Sequence, residues 1–161
     1  NMAFKLSSRS LAKLEGVHPD MVKVCMEAIK QTTVDFGITC GMRTLAEQKE
    51  LVRTKRSQTL KSKHLEGLAV DVVAYFGSEV SWDGAVYDDI ADAFAQASHD
   101  LSIPVRWGGA WQINSISHYN DNMEAATNSY VDLRRSQGKR PFFDGPHFEL
   151  SAANSLAEEY Q

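Results

Sequence analysis

Two short strings concentrate the side chains able to do chemistry. Ser62-Lys-His64-Leu-Glu-Gly67-Leu-Ala69-Val-Asp71 carries an imidazole and, seven residues on, a carboxylate. Asp144-Gly-Pro-His147-Phe-Glu149 carries a second imidazole with a carboxylate three residues upstream. Two histidines and one aspartate suit Zn²⁺ and leave a coordination position for water, as catalytic rather than structural zinc requires. Asp144 would then be spare, and a spare carboxylate beside activated water is a general base. Taken singly, each string reads as readily as a turn entering a strand. His18 before Pro19, His99 late in a helical stretch and His118 in a polar segment read as structural or solvated.

The elements that must carry these strings are legible from periodicity. Met21, Val22, Cys25, Met26 and Ile29 predict a helix over 19–33, with Pro19 in its first turn and Gly37 as its stop. Ile38-Thr39-Cys40 is a short β-prone run. Thr44 with Glu47 three residues later forms a capping box that opens a second helix bearing Leu45, Gln48, Leu51 and Val52. The 68–76 segment alternates and predicts a strand, with Ala69, Asp71 and Val73 on one face. Val86, Ile90, Phe94, Ala97 and Leu101 mark a third helix, and residues 103–107 a strand ended by Gly108-Gly109. A loop over 112–122, a helix over 123–135, a short strand over 148–150 and a polar tail complete the reading. Strands and helices mix without regular βα alternation, so the class is α+β rather than a doubly wound sheet.

The 161 residues are enough for one ordinary domain, and 43% hydrophobic with 24% charged residues excludes a disordered or fibrous chain. No apolar run reaches the roughly 18 to 20 residues of a membrane span. Cys25 and Cys40 lack metal-site spacing and are too few for a disulfide scaffold, so both are expected as buried free thiols. Residues 1–63 carry a balance of +6 and residues 64–161 one of −10. The basic half ends in five positive charges with no acid between Arg53 and Lys63. Such a stripe suits a polyanion, or is simply a solvated helix end and loop.

Ser-x-His-x-x-Gly-x-Ala-x-Asp, then Trp-Gly-Gly, then Asp-x-Pro-His-Phe-Glu together resemble the zinc D,D-carboxypeptidase and L-alanyl-D-glutamate endopeptidase family, nearest its bacteriophage endolysin branch. The resemblance spans about Met42 to Leu150. It implies a small, mainly antiparallel sheet packed with helices, zinc held by His64, Asp71 and His147, and Asp144 activating water. Arg43, in the Gly-x-Arg-Thr string, would face the scissile carbonyl oxygen or a substrate carboxylate. Gln48 and Ser62 match recurrent positions and are expected to support the site. Trp107 and Trp111, with Phe142 and Phe143, would line a substrate groove or pack in the core. Relatives often have Asp where this chain has Ala110, a departure that bears on any auxiliary polar or cation contact at this position and not on the three zinc ligands.

The expected activity is hydrolysis of the L-Ala–D-Glu bond in the peptidoglycan stem peptide, because the shorter Asp-x-x-His string resembles the endopeptidase branch. A D-Ala-D-Ala carboxypeptidase and a non-enzymatic binding module on the same zinc fold are the alternatives, and a nucleic-acid binder using the basic stripe is a third. Arg43 and Asp144 favour an enzyme, without a stable nucleic-acid partner. Residues 1–161 are expected to form a single monomeric catalytic domain with no separate wall-binding domain, which fits a Gram-negative type of wall. The first residues show no secretory signal, so the chain is expected in the host cytoplasm until the membrane is permeabilised.

Overall fold

The computed structural model describes residues 3–151. A short first helix, α1 (Ser8–Lys13), precedes α2 (Pro19–Gln31), which buries Met21, Val24, Cys25, Ala28 and Ile29 along one stripe. Pro19 does open α2. The helix ends at Gln31, well before Gly37, because Thr32 already adopts extended backbone and its hydroxyl bonds both backbone groups of Val34. Gly37 instead lies inside β1 (Asp35–Cys40), where a side chain would press on the Tyr75 ring and the Ser10 hydroxyl.

Helix α3 (Leu45–Arg53) starts at Thr44 with both bonds of the capping box in place, Glu47 N to Thr44 Oγ1 at 3.1 Å and Thr44 N to Glu47 Oε1 at 2.9 Å. A 3-10 turn, Lys63–Glu66, leads into β2 (Ala69–Phe76), which folds back on β3 (Glu79–Ser81). Then come α4 (Gly84–Leu101), capped by Asp83, and β4 (Val105–Gly108). A second 3-10 turn (Ile116–His118) breaks the segment expected as loop and buries Ile116. Helix α5 (Met123–Ser136) and β5 (Asp144–Leu150) complete the described chain. The final strand begins four residues earlier than its apolar core suggests, because Gly145 and Pro146 hide its first half from pattern reading.

All strand pairs are antiparallel, in the order β1-β2-β5-β4, with β5 on the first half of β2 and β3 on its second half. One face of this sheet carries Phe36, Ile38, Val70, Val72, Ala74, Val105, Trp107 and Phe148, all buried against the helical layer. Phe94 of α4 stacks on Phe148 at 3.8 Å between ring centroids, a large apolar contact that ties helix to sheet. The opposite face carries Asp71, His147 and Glu149. Strand alternation therefore separates an apolar side that holds the molecule together from a polar side that is free to do chemistry.

Candidate metal centre

Register brings the two sequence strings together. Asp71 pairs with His147 on β5 and with Cys40 on β1, so three neighbouring strands align Cys40, Asp71 and His147 in one row. Cys40 reaches this row through an irregularity between Ile38 and Cys40; regular pairing would have put Thr39 there. It is consequently half-buried at the site rather than a core thiol, whereas Cys25 is fully buried as expected. Asp144 and His147, three apart, would point to opposite faces of a regular strand. The register shift between Trp107 and Gly108 pairs Gly108 with Asp144 and lets both side chains share one face, with donor atoms of Asp71, Asp144 and His147 within 4.8 Å of one another.

His64 comes from outside the sheet. Ser62 Oγ accepts its backbone N–H at 3.2 Å, capping the 3-10 turn, and Gly67 closes that turn at φ +71°. The left-handed conformation and the nearness of the Gly16 carbonyl both demand glycine at position 67. Ser62 thus caps the turn that carries His64.

The hydrogen bonds of the imidazoles test whether a metal fits. His64 Nδ1 lies 2.8 Å from the Gly41 carbonyl oxygen, which can only accept, so Nδ1 carries a proton. In the neutral ring, Nε2 then presents a lone pair toward Asp71 Oδ2 at 3.2 Å; Nε2 is enclosed and makes no well-aligned hydrogen bond. His147 repeats the pattern: Nε2 donates to Glu149 Oε1 at 2.8 Å, leaving Nδ1 facing Asp71 Oδ1 at 3.2 Å. Two lone pairs aimed at a carboxylate repel unless a cation stands among them. A proton or a metal ion must supply that charge, and histidines whose second nitrogen is held by a carbonyl or carboxylate are the arrangement metals use.

Protonation energetics give the same answer. Burial works against charge on His64, but its bonds to Asp71 and Cys40 outweigh this and raise it to about 10. His147, opposed by burial and favoured by Asp71 and Glu149, rises to about 9. Asp71 is held well below the usual carboxylate range, because both histidines overcome the cost of its burial. Asp144 moves the other way: burial and then the Asp71 charge raise it, against the pull of His147.

Arg43 sits beside Asp71, with Nη2 at 3.7 Å from Oδ2. Its fork is aimed by Gln48 Oε1, which accepts from Nη1 at 2.7 Å, and by Cys40 Sγ at 3.2 Å from Nη2. Gln48 is buried and its amide also bonds Ser57 Oγ and the Thr59 carbonyl, tying α3 and the following loop to the arginine. Cys40, with His64 and Asp71, forms another group with donors within 4.8 Å. The thiol lies 3.6 Å from Nδ1, the nitrogen already given to Gly41, and so has no free base beside it. Burial opposes its thiolate, yet His64 and Arg43 bring it below its ordinary value.

The aromatic residues divide. Trp107 is 1% exposed and cannot touch a substrate; its indole N–H donates to the Gly145 carbonyl at 2.7 Å and anchors the strand between Asp144 and His147. Trp111 packs against the His147 ring at 5.6 Å, while Phe142 and Phe143 are exposed. Ala110 is fully buried. The basic stripe is a solvated helix end and loop, with Arg53 paired to Glu50. Glu149 was legible, since residues two apart on a strand share a face, whereas Cys40 depends on a bulge that no pattern announces.

Comparison with known proteins agrees with this architecture. A family model described as phage L-alanyl-D-glutamate peptidase matches residues 2–151. The L-alanyl-D-glutamate peptidase of Escherichia phage T5 is 31% identical over 153 residues, covering 92% of this chain and 99% of that protein. That of Listeria phage A118 is 37% identical over 108 residues, 65% of this chain but 37% of that protein. The crystal structure of Serratia marcescens L-Ala D-Glu endopeptidase ChiX superposes with a TM-score of 0.70 at 36% identity, covering 94% of this chain and 93% of that one. The matched span runs from before α1 to the end of β5 and so takes in every element that builds the centre; the chain belongs to the phage L-alanyl-D-glutamate peptidase family.

Proposed function

We propose that this chain is a zinc-dependent endolysin that hydrolyses the amide between L-Ala and D-Glu in the peptidoglycan stem peptide. The carrying observation is the convergence of His64 Nε2 and His147 Nδ1 on Asp71 at 3.2 Å each, with each ring fixed through its other nitrogen. His64, Asp71 and His147 would hold the metal, with Glu149 and the Gly41 carbonyl orienting the two rings. When bound, zinc polarises the scissile carbonyl and lowers the pKa of a water toward about 7.

Asp144 takes the proton from the attacking water and returns it to the leaving amine, a role suited to a carboxylate whose burial raises its basicity. Arg43, aimed by Gln48 and Cys40, offers N–H donors to the oxygen on which negative charge develops. Both groups are in place before substrate arrives, so little reorganisation is needed during reaction. Cys40 supports Arg43 and is not the nucleophile; no covalent intermediate forms. Among the described residues no helix is long and apolar enough to cross a membrane. We place the chain in the host cytoplasm, reaching the wall once the membrane is permeabilised.

The test is digestion of purified sacculi with and without chelator, followed by mass spectrometry of the fragments. A new amino group on D-Glu, abolished by chelator and restored by zinc, is the expected result. Release of free D-Ala alone would establish a carboxypeptidase instead.

A further inference from the structure

The two sides of Asp71 differ in chemistry. On the His64 side lies the Arg43 guanidinium, with Nη2 3.7 Å from Asp71 Oδ2. On the His147 side the surface is aromatic: Trp111 packs on His147, and Phe142 stacks on Trp111 at 6.4 Å with an interplanar angle of 18°. This shelf is held firmly. The Arg106 guanidinium lies over the Trp111 ring at 5.2 Å and donates to the Trp111 carbonyl. The buried Tyr130 hydroxyl bonds both backbone groups of Phe142, donating to its carbonyl at 3.2 Å and accepting from its N–H at 3.1 Å. Phe142 nevertheless leaves 64% of its surface in water. A large apolar ring that is both exposed and clamped is preorganised for a ligand face.

The proposed substrate is equally lopsided. From D-Glu onward the stem bears carboxylates, which suit the cationic side. On the other side of the scissile bond stand only L-Ala, the lactyl group and the muramic acid ring, whose pyranose offers an apolar C–H face. Two extended residue-like units separate the scissile carbonyl from that ring, about 7 Å. That reach is comparable to the 5.6 Å step from the His147 ring to Trp111, with Phe142 adjoining Trp111 at 6.4 Å. We infer that the Trp111–Phe142 shelf is a subsite for the muramic sugar, setting the direction of the stem across the centre and making the enzyme prefer glycan-attached stems over free peptide. This inference rests on the peptidase reading above, and it supplies remote binding energy that a sugar-free substrate would lack.

The test compares zinc-loaded protein on a disaccharide-tetrapeptide and on the same tetrapeptide with L-Ala N-acetylated. The wild type should show kcat/KM about tenfold higher on the sugar-bearing substrate, the order expected of one aromatic stacking contact. Phe142→Ala should erase that advantage while leaving the free peptide within about twofold, and Phe142→Tyr should keep it. Equal rates on both substrates in the wild type, or an equal loss on both in Phe142→Ala, would overturn the sugar subsite and leave the peptidase reading standing. Failure of the wild type to cut L-Ala from D-Glu in either substrate would remove the peptidase reading itself.

Discussion

Each imidazole at the centre has one nitrogen committed to a fixed acceptor, which dictates how substitutions there should behave. His64→Ala, Asp71→Ala and His147→Ala each remove one of three donors and should lower zinc occupancy, measured by elemental analysis after dialysis. Full occupancy in all three would refute the assignment. Glu149→Gln keeps the donors but weakens the acceptor holding His147, so metal affinity should fall by about 10- to 100-fold. Asp144→Asn should retain zinc while turnover drops about 10²- to 10⁴-fold, the range of a lost general base; loss of metal instead would make Asp144 a ligand. Arg43→Lys keeps the charge but cannot span Gln48 and Cys40 with one planar fork, so turnover per folded molecule should fall, and the melting temperature should drop by a few degrees because the buried Gln48 Oε1 loses its donor.

Between elements, close approach and burial of charge set the sensitive points. A Cβ at Gly108 would collide with the Asp144 carbonyl where β4 and β5 lose register. Gly108→Ala should therefore cost about 1 to 3 kcal/mol and depress turnover per folded molecule, because relief of the clash moves Asp144. Asp88, between α4 and α5, is raised to about 6, first by burial and then by Glu124, Asp92 and Asp89, against the Thr127 hydrogen bond. Its folded pKa lies above its unfolded one, so the native state holds the proton more tightly. The native state thus loses stability as pH rises from about 4 through 6 and recovers none above. Asp88→Asn should raise the melting temperature at pH 7.5 by an amount worth about 1 to 2 kcal/mol after allowing for partial solvation, and change nothing near pH 4. An equal gain at both pH values would remove ionisation as the cause.

At the scale of the whole molecule, metal binding and folding are coupled because the donors come from distant stretches of chain. Zinc at 1,000 times its dissociation constant adds about 4 kcal/mol, or roughly 10 °C in melting temperature for a domain of this size. Calorimetry with zinc and with chelator should show that difference, and identical curves would argue that nothing binds the folded centre. The same coupling leaves the apolar sheet face, with Phe94 on Phe148, to hold the metal-free fold.

Much of this architecture follows from local chemistry. The Thr44 capping box, Pro19 at the start of α2, the alternation of β2 and the two donor strings depend on residues a few positions apart, so short-range rules reach them. Local pattern misplaced the end of α2, missed α1 and β3, put Cys40 in the core, and left Trp107 open between groove and core. The register of three strands that aligns Cys40, Asp71 and His147 was beyond it, as was the slip at Gly108 that swings Asp144 onto the same face. So was the clamp from Tyr130 that holds Phe142 out in water. Each of these is set by pairing between residues tens of positions apart, where an irregularity of one or a few residues reverses which face a side chain occupies. The types and spacing of the donors are written in the chain; their convergence on Asp71 is a product of strand register.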